Sequence, residues 1–180
     1  MSKSLLHNDA IIIDGLVVSN WSTSVFKDMH AGGLTAANCT CSLWEGTRDT
    51  LMNIANWKRW IEEHENILLQ VHTTDDIRRA KNENKVGVIL GWQNTSGIED
   101  QIPLLRVFRD LGVRVMQLTY NTQNLVGSGC WEGHDGGLSN FGRDVIDEMN
   151  RLGILIDLSH VGSKTSEDAI SYSKRPVAYT

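Results

Sequence analysis

Short apolar runs alternate with longer amphipathic stretches through most of this chain, and that alternation confines it to a parallel α/β fold. The clearest unit is GLSNFGRDVIDEMNRLGILIDLSHVG, residues 137–162. Within it Phe141, Val145, Ile146, Met149 and Leu152 recur at helical spacing, with Ser139 placed to cap the start and Gly153 to close the end. Ile154, Leu155, Ile156 and Leu158 follow as a nearly continuous apolar run, the pattern of a parallel strand covered on both faces. The strand ends on His160. Strand ends of this polarity line the reaction site in parallel α/β proteins, so an imidazole there suits metal ligation or proton transfer. The plainer alternative is a histidine simply hydrogen-bonded at the strand end.

The same patterns predict strands at 10–14, 34–42, 86–92, 113–119 and 153–159, and the beginning of a sixth at 176–179. Helices are predicted over 22–30, 47–63, from a cap at Thr74 to about 81, over 98–111, after Ser139 to Leu152, and over 163–173. Strand then helix, repeated, requires right-handed crossovers in an open doubly wound sheet or a (β/α) barrel. No GxGxxG or GxxxxGK[ST] follows any strand, which removes the usual nucleotide-binding reason for an open sheet and favours the barrel.

At 180 residues the chain suits one domain spanning residues 1–180, whereas a closed eight-stranded barrel takes about 250. The expectation is therefore an α/β fold of (β/α) TIM type, truncated after about six strands, the N-terminal part of a barrel. Its first and last strands would be open edges. Either a second copy covers them in a homo-oligomer, or the chain begins a longer protein.

A net charge of −5 with no basic stripe argues against a nucleic-acid partner. No apolar stretch reaches the ~18 residues needed to cross a bilayer, and MSKSLLHNDA lacks the apolar core of a secretion signal, so a cytoplasmic protein with no membrane partner is expected. Cys39, Cys41 and Cys130 have no zinc-ribbon spacing and read as buried thiols, Cys39 and Cys41 facing the same side. There is no GxSxG elbow, and no cysteine has a histidine partner nearby in sequence. Metal-activated water is favoured over an acyl-enzyme.

GVILGWQNTSGIED, LGVRVMQLTYNTQNLVGSGC and especially GLSNFGRDVIDEMNRLGILIDLSHVG resemble the membrane dipeptidase, or renal dipeptidase, family of zinc peptidases, and the similarity runs from about Ala10 to the end. The resemblance implies a (β/α) barrel with two bridged zinc ions at its C-terminal rim and hydrolysis of dipeptides or similar small amides. Two such ions would polarise the scissile carbonyl and lower the pKa of a bridging water. On this resemblance His160 falls on the family's fifth-strand histidine and is the leading metal ligand. Gln93 stands where the family has a bridging glutamate, a neutral amide at a metal and catalytic position. Tyr120 stands where a family histidine holds the substrate and the developing tetrahedral centre. The family's Asp-Gly-His-Asn-Asp is here Asp14, Gly15, Leu16, Val17 and Val18, and its sixth-strand histidine would follow Thr180.

These departures leave three accounts open. One is a divergent metal-dependent hydrolase in which Gln93, Tyr120, His160 and either Asp157 or Asn94 replace the usual set. The second is a catalytically degraded barrel that binds a small molecule without cleaving it. The third, compatible with both, is a piece of such an enzyme that is inactive alone. Secondary candidates are His134 and Asp135 in the glycine-rich loop 127–137, which would cover a substrate or serve as a connector. Asp14 would cap a loop or reach a metal. Asn94, Thr95 and Ser96 would serve a polar amide substrate or a turn, and Trp92 and Trp131 would form an apolar wall or pack in the core.

Overall fold

The computed structural model describes residues 5–180, so the part of the leader argument that rests on the first four residues lies outside them. Among the described residues, seven strands form one wholly parallel sheet: β1 Ile13–Val17, β2 Ala36–Ser42, β3 Leu68–Gln70, β4 Val86–Trp92, β5 Val113–Gln117, β6 Leu155–Asp157 and β7 Val177–Ala178. Their spatial order is β1-β2-β4-β5-β6-β7, with β3 added beside the first half of β4. Seven helices intervene or precede: α1 Leu5–Asp9, α2 Thr23–Gly32, α3 Thr47–Glu63, α4 Thr74–Asn82, α5 Pro103–Leu111, α6 Asn140–Leu152 and α7 Ser163–Tyr172. The sheet curls as a barrel does. A Cβ placed on Gly15 of β1 would lie 3.7 Å from Thr180, just past β7 at the other end of the strand order. The fold is thus the (β/α) TIM type expected.

Local chemistry explains the elements. Ser139 Oγ accepts from the Gly142 amide at 2.9 Å and opens α6, and Gly153, at φ 70°, closes it in the left-handed conformation. β4 is buried along almost its whole length, and Trp92 packs edge-on to Phe108 of α5 with ring centroids 4.6 Å apart. Trp92 is a core residue, not a substrate wall.

Four expectations need correction. The helix expected over 98–111 splits: a 3₁₀ turn, Ser96–Ile98, comes first, and the α-helix starts at Pro103, whose missing N–H and fixed φ suit a first turn. The first strand sits three residues later than expected, because the Ile12 amide donates to Thr35 Oγ1 and ladder pairing begins at Ile13. The cap of α4 is Thr73, in a reciprocal box with Asp76. Finally, β3 and α1 were not foreseen. β3 is only Leu68, Leu69 and Gln70, too short a run to carry a periodicity.

Candidate functional site

Where β5 and β6 end, the chain sets His160 beside Tyr120. Their rings stack at 4.3 Å between centroids, and Trp44 meets Tyr120 edge-on at 4.9 Å. His160 is exposed, with φ 61°. Asn121, with φ 62°, is also left-handed, a conformation asparagine tolerates better than most residues. The His160 carbonyl holds this backbone by accepting from the amides of Asn121 (3.2 Å) and Cys130 (3.0 Å) and from Thr119 Oγ1 (3.3 Å).

The imidazole is oriented by one contact. His160 Nδ1 lies 2.7 Å from Asn121 Oδ1, which also accepts from the Cys130 thiol at 3.3 Å. An amide oxygen only accepts, so Nδ1 donates, and in the neutral ring Nε2 is then the nitrogen with a lone pair for a metal or a proton. Sequence reasoning missed Asn121 and Cys130. Asn121 follows Tyr120 directly, yet nothing in the spacing announces that it meets a side chain 39 residues away.

Of the other candidates, Gln93, Asn94, Thr95, Asp14 and Asp157 hold hydrogen bonds within the fold, whereas Ser96, Trp131 and His134 are exposed. Gln93 is buried and its amide donates to Thr40 Oγ1 at 2.7 Å. Asn94 Oδ1 accepts from the amides of Thr95 and Ser96 and from Asn124, so Asn94 and Thr95 build a turn, and only Ser96 of the three is exposed. Asp14 lies within β1 and accepts from the Leu16 amide two residues on. Asp157 is buried, accepting from the Ser159 amide and from Thr180 Oγ1. Trp131 is 73 % exposed, and its amide donates to the Asn121 carbonyl. His134 is exposed.

The glycine-rich loop is a fixed connector. Gly129 bridges to Val161, and Asp135 accepts from Gly137, from the Lys164 amide and from the Thr165 hydroxyl. Of the thiols, Cys39 and Cys41 are buried as expected, but Cys130 is exposed. Burial pushes the Cys41 thiol up to about 12, and that of Cys39 higher still, so both stay neutral.

A two-zinc centre does not fit these residues. Among the described residues no group of three or more His, Cys, Asp or Glu side chains is placed to hold a metal ion. The first-strand positions are aliphatic, and Gln93 brings no charge to offset two cations.

The model of the membrane dipeptidase family, peptidase family M19, matches residues 17–180. An uncharacterized dipeptidase of Schizosaccharomyces pombe is 37% identical over 138 residues, 74% of this chain and 33% of the relative. Dipeptidase tcpJ of Claviceps purpurea is 35% identical over 136 residues, 74% of this chain and 32% of the relative. The matched stretch is thus about a third of each curated relative's length. Among solved structures, an amidohydrolase from Pseudomonas aeruginosa superposes with a TM-score of 0.95 at 53% identity, over 97% of this chain and 53% of that one. A metallo peptidase from Rhodobacter sphaeroides, liganded with a phosphinate mimic of the dipeptide L-Ala-D-Ala, shares the fold with a TM-score of 0.82 at 18% identity, over 94% of this chain and 64% of that one.

Proposed function

Because the chain belongs to the membrane dipeptidase family, peptidase family M19, we propose that the protein hydrolyses dipeptides or similar small amides at the C-terminal ends of β5 and β6. The observation that carries this reading is the His160 ring, fixed through Nδ1 by Asn121 and stacked on Tyr120, so that in the neutral ring the lone pair lies on Nε2. In this role Nε2 takes a proton from water as its oxygen attacks the amide carbon, then returns it to the leaving amine. The Tyr120 hydroxyl donates to the carbonyl oxygen as it gains charge. Zinc is the family's cofactor, but no step here runs through it, since the donor set does not fit. The three free cysteines support a reducing compartment, the cytoplasm, and among the described residues no helix is long and apolar enough to cross a membrane.

A second reading has its own support in the neutral Gln93 and the missing donor cluster: the site holds a dipeptide without cleaving it. Incubation with L,L- and L,D-dipeptides, scored for released amino acids, with zinc content measured on the same protein, separates the two. Cleavage that falls by about 10²–10⁴ in His160→Ala supports hydrolysis. Saturable binding without cleavage supports the second reading, and neither cleavage nor binding overturns both.

A further inference from the structure

A cavity of about 260 Å³ opens between the end of β2 and α3, with neither His160 nor Tyr120 in its lining. Three of its walls are indoles. Trp21 and Trp57 meet at 4.6 Å with planes 65° apart, and Trp57 and Trp60 at 5.4 Å with planes 86° apart, so successive walls stand at steep angles to one another. Trp57 is fully buried, and Trp21 is held by its Nε1 donating to the Thr40 carbonyl. The walls are preformed.

One charged side chain lines the cavity, Glu45. Its Oε2 accepts from the Leu43 amide at 2.6 Å and from Ser42 Oγ at 3.2 Å. Burial raises its pKa, but the bonds from Leu43, from its own amide, from Ser42 and from Trp44 overcome that and hold the carboxyl below its usual range. Cys41, also in the lining, is a neutral buried thiol. Asn53 and Asn56 add uncharged polar groups. Arg59, whose guanidinium lies 5.8 Å from the Trp60 ring centroid, is exposed, paired with Glu63 and not part of the lining.

We propose that this cavity is a binding site for a small alkylated ammonium ion, with the indoles taking the alkyl faces and Glu45 the charge. Indole faces attract cations through their quadrupole, and alkyl groups on nitrogen give those faces apolar surface to cover. A neutral apolar ligand would leave Glu45 ionised and unpaired by any counterion, and an anion would be repelled by it. The site does not depend on whether His160 supports cleavage.

The test is titration of the 180-residue chain with tetramethylammonium chloride at constant ionic strength, followed by calorimetry and tryptophan fluorescence. Neopentyl alcohol, of similar shape and no charge, is titrated in parallel. The cation should bind saturably and at least tenfold tighter than the alcohol. Trp60→Leu and Glu45→Gln, each checked for a cooperative melt, should each weaken it about tenfold. Absence of saturable cation binding by the unmodified chain, or equal affinity for the alcohol, overturns the proposal whatever the variants do. So does unchanged affinity in both folded variants.

Discussion

At the scale of single residues, the site rests on two backbones crossing at close quarters. A Cβ at Gly129 would fall 2.2 Å from the carbonyl carbon of Asn121, a backbone atom with no rotamer to yield. Gly129→Ala should therefore cost about 1–3 kcal/mol, read as a lower urea midpoint, and should slow any dipeptide cleavage by displacing Asn121 from His160. The thiols give a second check. Cys39 and Cys41 are buried and held neutral, while Cys130 is exposed. Ellman's reagent at pH 8 should titrate one thiol in the native chain and three in urea; three fast native thiols would refute the packing of β2. His160 was legible in the sequence because it ends an apolar strand, and Tyr120 through the family resemblance. Asn121 and Cys130 were not, because their role arises from left-handed backbone geometry that no spacing encodes.

Among elements, the legible ones are those whose caps and periodicity agree. α3 and β4 fall where the sequence places them, whereas the stretch before α5 does not, since Ile98 and Ile102 continue an apolar spacing across a break that Pro103 imposes. Least legible was the connection from β5 to α6, where the Asp135 carboxylate ties the glycine-rich loop to the start of α7. Asp135 accepts from the Gly137 amide at 3.0 Å, from the Lys164 amide at the start of α7 at 2.7 Å and from Thr165 Oγ1 at 2.8 Å. Burial raises its pKa, but these donors outweigh burial and lower it. A lowered folded pKa means the stabilisation is fully present above the unfolded value, about 3.9, and is lost as pH falls through the folded one. Asp135→Asn turns one acceptor into a donor facing donors. It should cost about 1.5–3 kcal/mol at pH 7, and the difference from the unmodified chain should shrink below about pH 4. Urea midpoints at pH 7 and pH 3 measure both; an equal difference at the two values would exclude Asp135 as the anchor of α7.

On the scale of the whole molecule, the described sheet ends on β1 and β7, which do not pair with each other, and β3 pairs on one side only. Approach is not closure. A Cβ on Gly15 would come within van der Waals reach of Thr180, yet no ladder joins β1 to β7. Unpaired N–H and C=O groups on such edges favour pairing with another strand, and burying them without a partner costs free energy. β7 is two residues long and offers little template, but β1, with five, is the edge on which association should act. The P. aeruginosa amidohydrolase fits 97% of this chain with 53% of its own length. The 180-residue chain alone should therefore elute from a sizing column as a concentration-dependent oligomer. Ile13→Lys, which places a charge on the exposed side chain of β1, should shift it toward monomer, since charged edge residues discourage strand addition. A chain that is monomeric at all concentrations would mean that the curl of the sheet already shields β1, making the meeting of Gly15 with Thr180 the feature that protects the edge.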